Sequence, residues 1–348
     1  MHRVRMLVVV LLLVAAACGG DDTADTTSTA PSTTSETTTT IGADPTTTTL
    51  ATTTTTDPPE TTTTEASAAS AAVWVTDQAA GNLVKVDPAS GDTIFVSGLT
   101  GPTNGVALGA GSAWVALSSP ANALARVDGE SGEVLAIIEI GSGTAGVAFS
   151  DGFAWVSSFE AGTVTQIDPA TNEIVATIDV GDGATGLTAG SVWATAWTDK
   201  ALNKIEVDGT VTSVDLPGAG SAPAVGGGYV AATLFNSGEV IVFDETLTEV
   251  GIFDTGNNAN VISWGFGVFW ATNSATGEVW RIDPAAGTAE VATVVPGALG
   301  IVAGADMIYV ASFDTGKVYQ FPPDDPSAMN DLMSTGGSAF EVAFGAAG

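Results

Sequence analysis

Beyond residue 70 the chain is built from short apolar runs that alternate with clusters of turn-forming residues. In one stretch the runs 154–158, 164–168, 174–178 and 185–190 follow one another, and residues 168–172 give a hairpin turn between the second and third runs. Residues 164–168 alternate with a period of two, and no run has a helical apolar period of useful length. The pattern predicts four short β-strands per unit, joined by tight turns.

An aromatic residue marks the same apolar run in successive units. These residues are Trp74, Trp114, Trp155, Trp193, Trp270 and Tyr309. Their spacings are 40, 41, 38, 77 and 39 residues, and the gap of 77 holds one further unit, headed by Tyr229. Seven units therefore fill residues 71–348. A period of about forty residues is typical of propeller blades, so the sequence predicts an all-β, seven-bladed β-propeller with four-stranded blades.

The two ends of the repeat region predict how the ring closes. The first unit begins at Val73 with what corresponds to the second strand of a blade, whereas the last run, 341–345, matches the innermost strands near Gly105 and Gly146. We expect one shared blade, with three strands from the N-terminal side and one inner strand from the C-terminal side. An open ring would leave unpaired sheet edges.

Two recurring residues favour a structural interpretation. Each repeated Trp lies in a short apolar strand, where packing between adjacent sheets explains it better than ligand contact. An acidic residue recurs before each turn, at Asp87, Asp128, Asp168, Glu206, Asp244 and Asp283, with Pro322 in the last unit. Such a side chain accepts backbone N–H groups within its turn. Calcium is the alternative there, but each turn offers one carboxylate where calcium takes six to eight oxygens. We therefore predict no cofactor.

The repeats resemble a known family. Trp155-Val156, the segment 167–172 and Val180-Gly181 resemble YVTN-type propeller repeats, and the whole set over 71–348 is similar to propellers of the streptogramin-lyase (virginiamycin B lyase-like) group. The resemblance implies the fold. It also implies a lyase activity that depends on a catalytic histidine, and the chain carries no histidine after its first residues. These turn and packing motifs specify fold well and function badly.

The first residues indicate export. His2, Arg3 and Arg5 precede the apolar run 6–17, so residues 1–17 are interpreted as a signal peptide. The run is too short to span a bilayer. Residues 15–20 resemble the lipobox of bacterial lipoproteins, in which Cys18 becomes the acylated N-terminus, although Ala15 replaces the usual Leu. We expect lipidation at Cys18 and an outward-facing protein on the cell membrane, and plain secretion after an ordinary cleavage is the alternative.

Residues 18–70 are dominated by Thr, with Ser, Pro, Asp and Glu and almost no large apolar residue. Such a composition cannot bury a core, so we expect a disordered stalk between the anchor and the propeller.

Charge and missing residue types exclude several classes of function. Removal of the signal peptide leaves six basic residues against 39 acidic ones, a formal net charge of −33. So acidic a surface is repelled by phosphate backbones, which argues against nucleic acid as a partner. The remaining chain has no histidine, and Cys18 is its one cysteine. Ser-His-Asp and Cys-His nucleophiles, His or Cys zinc sites and disulfides are therefore excluded.

One recurring position points to a binding site. Four residues after the repeated aromatic, where the chain leaves the second strand, the units carry Gln78, Ser118, Phe159, Trp197, Phe235, Ser274 and Phe313. Where the chain begins each innermost strand, they carry Asn104, Thr144, Thr185, Ala222, Asn260, Leu299 and Phe340. Both sets are expected at one end of the central channel, with Glu341 beside them. Aromatic rings next to hydroxyl and amide groups suit a sugar, a peptide or another flat ligand. Alternatively, the aromatics cap the blade tops against one another.

From the sequence we therefore rank three possible functions. A monomeric binding or scaffold protein of the cell envelope comes first, with a glycan, a peptide or an envelope protein as its partner and the membrane reached through the lipid anchor. Its predicted ligand-binding residues are Phe159, Trp197, Phe235, Phe313, Asn104, Asn260 and Glu341. A divalent-metal-dependent hydrolase, lactonase or lyase-like enzyme comes second, and no catalytic residue is assigned. A purely structural envelope protein is the third possibility.

The first prediction concerns the anchor. The mature protein is expected to begin at acylated Cys18 and to partition with membranes, whereas the Cys18→Ser variant should be released. Mass spectrometry of the mature N-terminus decides the point. An unacylated parent that starts at another residue would contradict the lipoprotein interpretation.

Overall fold

A computed structural model describes residues 71–347 of the 348-residue chain. The predicted signal peptide, Cys18 and the predicted stalk lie outside the described residues. Seven antiparallel sheets of four strands each surround a central channel, and the innermost strand of every sheet contacts the innermost strands of its two neighbours. The predicted all-β, seven-bladed propeller is confirmed. No helix in the described part of the chain has the length and apolar character needed to cross a membrane.

The blades are numbered in chain order, and the strands of each are given from the channel outward. Blade 1 combines β28 (Ala339–Gly345), β1 (Ala72–Asp77), β2 (Asn82–Val86) and β3 (Thr93–Val96). Blade 2 holds β4 (Thr103–Gly109), β5 (Ser112–Leu117), β6 (Ala123–Asp128) and β7 (Val134–Glu139). Blade 3 holds β8 (Thr144–Ser150), β9 (Phe153–Ser158), β10 (Thr163–Asp168) and β11 (Glu173–Asp179). Blade 4 holds β12 (Ala184–Thr188), β13 (Val192–Ala196), β14 (Ala201–Ile205) and β15 (Val211–Asp215).

Blade 5 holds β16 (Gly220–Gly226), β17 (Tyr229–Leu234), β18 (Glu239–Asp244) and β19 (Glu249–Asp254). Blade 6 holds β20 (Ala259–Gly265), β21 (Val268–Asn273), β22 (Glu278–Asp283) and β23 (Thr288–Val294). Blade 7 holds β24 (Ala298–Ala303), β25 (Ile308–Ser312), β26 (Lys317–Phe321) and β27 (Asn330–Ser334), with a 3₁₀ turn at Pro326–Ala328. The upper face is defined as the end of the ring at which each innermost strand begins, and the lower face is the opposite end.

The repeated aromatics form the packing core between blades, as predicted. Trp74, Trp114, Trp155, Trp270 and Tyr309 are almost completely buried. The indole Nε1–H of Trp114 donates to the carbonyl of Gly109 at 3.1 Å, and Trp155 and Trp270 make the same bond to the residue five positions earlier, at 3.2 and 3.1 Å. Each of these indoles therefore ties the second strand to the end of the first while its ring fills the core.

Five of the six recurring acidic residues accept turn N–H groups on the lower face, whereas the carboxylate of Glu206 pairs with Lys204 instead. Asp87 Oδ1 accepts the N–H of Ala89 at 2.8 Å, and Asp168, Asp244 and Asp283 accept turn N–H groups in the same way. The N–H and hydroxyl of Ser131 hold the pKa of Asp128 below its ordinary value. These carboxylates therefore satisfy turn backbone, as the sequence predicts. No group of three or more His, Cys, Asp or Glu side chains in residues 71–347 is placed to hold a metal.

Neighbouring innermost strands are joined by side-chain hydroxyls in blades 3 to 7. The hydroxyl group lies one residue before the end of the second strand and acts in two directions. It accepts the N–H of a residue at a β-bulge in its own innermost strand, and it donates to a carbonyl of the next innermost strand. The donors and acceptors are Ser157 to Thr185, Thr195 to Ser221 at 3.1 Å, Thr233 to Asn260 at 2.6 Å and Thr272 to Leu299 at 2.6 Å.

Glycine allows the same strands to approach closely. A Cβ at Gly146 would lie 2.5 Å from the carbonyl oxygen of Thr185, and a Cβ at Gly186 would lie 2.5 Å from that of Ser221. Both distances are shorter than any van der Waals contact. At these two junctions a larger residue at the bulge would force the strands apart, whereas blades 1, 5 and 6 accommodate Glu341, Ala222 and Val261 at the same position.

Cations join the first three blades on the lower face. Lys85 of blade 1 lies over the ring of Trp74, 5.5 Å from its centroid, and its Nζ donates to the carbonyl of Gly129 in blade 2 at 2.7 Å. Arg126 of blade 2 lies over the ring of Trp114 at 5.1 Å, and its Nη1 donates to Asn172 Oδ1 of blade 3 at 3.0 Å. Two of the few basic residues are thus used to bind one blade to the next.

The predicted closure is confirmed, because β28 pairs antiparallel with β1 and completes blade 1. Asp77, at the end of β1, is fully buried, and its Oδ1 accepts the N–H groups of Ala80 and Ser338 at 3.0 and 2.9 Å. Its Oδ2 has no hydrogen-bond partner within the described residues. Asn273 occupies the matching place in blade 6, where its Nδ2 donates to the carbonyl of Thr255 at 2.8 Å.

The second prediction follows from this comparison. Asp77→Asn should raise the free energy of unfolding by on the order of 1 kcal/mol, because an N–H donor replaces a buried oxygen that has no donor beside it. Urea unfolding of the mature chain near neutral pH measures the change. The reciprocal variant, Asn273→Asp, is the matched control and should lower stability by a similar or larger amount. Loss of stability in Asp77→Asn would show that the carboxylate is needed at the closure.

Candidate functional site

The position four residues after the repeated aromatic is structurally equivalent in all seven blades. Its backbone N–H donates to the carbonyl of the residue immediately before the innermost strand of the same blade, at 2.8 to 3.1 Å. The seven pairs are Gln78 to Ser338, Ser118 to Pro102, Phe159 to Gly143, Trp197 to Gly183, Phe235 to Ala219, Ser274 to Asn258 and Phe313 to Gly297. Because only backbone atoms make this bond, the side chain is free to vary, and the position lies on the upper face.

The four aromatics at this position are partly exposed. Trp197 of blade 4 and Phe235 of blade 5 contact each other, with ring centroids 5.4 Å apart and an interplanar angle of 48°. We call these two residues the upper aromatic pair. Phe159 lies on the preceding blade, and Phe313 is separated from the pair by blade 6, which carries the buried Ser274. The pair thus spans one blade junction and keeps part of both rings open to solvent.

The two asparagines predicted to bind a ligand differ in how far their side-chain amides are exposed. Asn104 is buried, its Oδ1 accepts from Gln78 Nε2 at 2.9 Å, and its Nδ2 donates to the carbonyl of Thr144 at 3.1 Å. Both ends of that amide are bonded within the protein. Asn260 is partly exposed, accepts the hydroxyl of Ser221 at 3.2 Å and donates to Ser274 Oγ at 3.4 Å. Asn260 and Ser221 therefore form a polar shelf across the junction of blades 5 and 6.

The structure corrects the predicted alignment of the innermost strands at two positions. Thr144 pairs with Ser158 in blade 3 in the same way as Thr103 pairs with Leu117 in blade 2, so the residue of blade 3 equivalent to Asn104 is Ala145 rather than Thr144. In blade 5 the equivalent residue is Ser221 rather than Ala222. The same β-bulge follows this position in all seven innermost strands, and counting back from it gives Ala145 and Ser221 as the equivalents.

The central channel contains a cavity of about 370 Å³. Its walls are mostly glycine, alanine, valine, isoleucine and leucine with three aromatic residues, and Thr188, Ser263 and Pro223 also line it. Glu341 is the one ionisable side chain among the described residues of the lining. The bulge position held by Glu341 in blade 1 holds Gly105, Gly146, Gly186, Ala222, Val261 and Gly300 in the other blades. None of the four predicted upper-face aromatics and neither asparagine is among the lining residues.

The surroundings of Glu341 are strongly desolvating. Its backbone N–H donates to Thr76 Oγ1 at 3.0 Å, and its Oε1 accepts the N–H of Val342 at 3.2 Å. Burial raises the pKa of Glu341 from its ordinary value of 4.5 to about 7, although the hydrogen bond from Val342 acts in the opposite direction. A half-buried carboxyl group among mostly apolar walls therefore titrates near neutral pH.

Three aromatics at the lower end of the cavity were missed from the sequence. Phe149, Trp264 and Phe344 lie on blades 3, 6 and 1, and each comes one residue before the last residue of its innermost strand. Their rings also contact the blade core, as Trp264 does with Phe269 at 4.7 Å between centroids. The available signal was the recurrence of an aromatic in the segments 146–149, 261–264 and 341–344.

Comparison with known proteins supports the fold. No protein-family model and no curated protein matches the chain. Virginiamycin B lyase from Staphylococcus aureus superimposes with a TM-score of 0.59 at 15% identity, over 66% of this chain and 83% of that one. A streptogramin B lyase gives 0.64 at 15% identity, over 79% and 92%. A functionally unknown protein from Desulfotomaculum acetoxidans gives 0.64 at 14% identity, over 79% and 99%.

At such identities the likeness establishes the fold alone, and it confirms the streptogramin-lyase-like propeller that the repeats indicate. The lyase has also been solved with quinupristin in a catalytically inactive form in which a histidine is replaced by alanine. The present chain has one histidine, His2, within the predicted signal peptide. The propeller therefore offers no histidine of its own for that chemistry.

The third prediction concerns Glu341. Between about pH 4.5 and about pH 7 the folded protein holds a proton that the unfolded chain releases, so stability should fall as pH rises through this window. The upper bound is about 3 kcal/mol, and solvent in the channel reduces it. Glu341→Gln should remove this decline, as urea unfolding at a series of pH values would show. Glu173→Gln, on the exposed outer strand of blade 3, is the control and should retain it. Parallel curves for the parent and Glu341→Gln would contradict the assignment.

Proposed function

We propose that this chain is an exported, lipid-anchored binding protein of the cell envelope, and that the upper face of its propeller binds a glycan or a peptide. The upper aromatic pair is the observation that carries the proposal. Two large rings remain partly exposed on adjacent blades, although Gln78, Ser118 and Ser274 show that the position does not require an aromatic.

The chemistry beside the pair suits a ligand with flat apolar faces and polar edges. Phe235 lies on the same blade as Ser221, whose hydroxyl meets Asn260 on the next blade. Ring faces offer stacking surface, while the hydroxyl and amide groups have hydrogen-bonding capacity left for a ligand. Sugars and peptide side chains present such a combination of apolar faces and polar edges.

The expected affinity is moderate. Each aromatic contact contributes about 0.5–1.5 kcal/mol beyond the burial of area, and micromolar affinity requires about 8 kcal/mol. The pair alone is insufficient, so Phe159 and the polar shelf of Ser221 and Asn260 must contribute. A rigid ring favours such cooperation, because the contacts are already in place before the ligand binds.

The location of the protein is inferred from its first residues. The apolar run 6–17 and the lipobox-like segment around Cys18 support export and anchoring, and the Thr-rich segment 18–70 gives the propeller reach from the membrane. A face directed at the envelope or its surroundings would meet glycans and peptides there, whereas the acidic surface disfavours nucleic acid.

The fourth prediction tests the upper face. Replacing Trp197 and Phe235 together with Ser should leave the melting temperature nearly unchanged, because the anchoring hydrogen bond uses the backbone and Ser occupies the same place in blades 2 and 6. Binding to the ligands identified on a glycan and peptide array should weaken at least tenfold. Phe95→Ser, which removes an exposed ring on the outer strand of blade 1, is the matched control and should bind as the parent does. A large fall in melting temperature would mean that the pair is a packing contact.

A further inference from the structure

Glu341 has no structural counterpart in the ring. The other six blades place glycine, alanine or valine at the same bulge, so closing the propeller does not require a carboxylate there. The ion pairs among the described residues join Lys204, Arg281 and Lys317 to other acidic residues, and none involves Glu341. Glu341 is therefore a carboxylate in a mostly apolar channel without a cation supplied by the described part of the protein.

The elements packed against β28 supply no positive charge. They are β1, β4, β24 and β25, and their titratable residues are Asp77 and Tyr309. Asp77 accepts backbone N–H groups at the closure, and Tyr309 stacks on Phe344 with centroids 5.4 Å apart. Taking a carboxylate partly out of water lowers stability unless it is paired. A positively charged ligand would offset that cost.

The opposite end of the same cavity is aromatic. Glu341 is the third residue of its innermost strand, near the upper face, while Phe149, Trp264 and Phe344 lie three residues further along their strands. Three residues of β-strand span about 10 Å. The channel is thus anionic at one end, aromatic at the other and apolar between them, over a length that a small molecule can bridge.

We propose that the channel binds a monocationic amphiphile: a protonated amine on an apolar or aromatic body about 10 Å long. The ammonium group pairs with Glu341, and the body lies along the glycine and valine walls with its far end among Phe149, Trp264 and Phe344. The cavity volume of about 370 Å³ falls in the range of small-molecule pockets. The strongly negative charge of the whole chain, −31, raises the local concentration of cations and disfavours anionic ligands.

This site is separate from the upper aromatic pair, because neither Trp197 nor Phe235 lines the cavity. The two proposals can therefore fail independently. A protein lacking the upper aromatic pair should bind the amine as the parent does, and a protein lacking the Glu341 charge should keep its upper-face ligand.

The test uses the mature, full-length protein and two probes of the same shape, 3-phenylpropylammonium and its neutral analogue 3-phenylpropanol. Isothermal titration calorimetry above pH 8 should show the ammonium binding at least tenfold more tightly than the alcohol. Glu341→Gln should weaken the ammonium at least tenfold and leave the alcohol unchanged. Trp264→Leu should weaken both probes.

Acidification gives a second measurement on the unaltered protein. Because a protonated Glu341 must lose its proton before it pairs with the ammonium, affinity should fall by about tenfold per pH unit below about pH 7, and the alcohol should show no such dependence. This comparison decides the question even if Glu341→Gln fails to fold. Glu173→Gln and the Trp197→Ser/Phe235→Ser protein are the controls and should bind the ammonium normally.

Three results would overturn the proposal. The first is equal affinity for the ammonium and the alcohol, and the second is full ammonium binding by a folded Glu341→Gln protein. The third is the failure of both probes to bind. Weakened ammonium binding by the Glu173→Gln protein would also count against the proposal, because the general negative charge of the surface would then explain the affinity.

Discussion

The close approach of neighbouring innermost strands is the constraint on which the rest of this propeller depends. The strands meet at a β-bulge, where Gly146 and Gly186 leave no room for a Cβ and where hydroxyls such as Thr195 bond both to their own strand and to the next. This contact fixes the width of the channel. It also leaves little room for a side chain at the bulge in blades 3 and 4, although blades 1, 5 and 6 accommodate Glu341, Ala222 and Val261 there.

The ring does not use the same cross-link at every junction. Hydroxyl bridges join blades 3 to 7 near the channel, whereas Lys85 and Arg126 join blades 1 to 2 and 2 to 3 on the lower face. The junction of blades 7 and 1 contains the closing strand instead. Both cations lie over tryptophan rings and donate to oxygen atoms of the next blade. Two of the few basic residues of the chain therefore hold neighbouring blades together.

The sequence predicted what depends on local pattern. Repeated aromatics, turn carboxylates and alternating apolar residues recur once per blade along the sequence, so fold, blade number and closure could be derived. Contacts between blades were harder to derive. That Gln78 binds the amide of Asn104 depends on how two sheets meet, and only the strand pairing shows that the equivalents of Asn104 are Ala145 and Ser221. Phe149, Trp264 and Phe344 were overlooked because their segments look like ordinary strands, and only the ring places them around one cavity.

Strand β28 carries both the last pairing of the ring and the charge of the channel. Since β28 is the last of the strands in chain order, blade 1 stays without its inner strand until all the others have been synthesised. Glu341 reaches the channel in the same step that completes the ring. Translation that stops before β28 therefore yields a protein that has an open sheet edge and lacks Glu341, so an unfinished ring and a missing channel carboxylate always occur together.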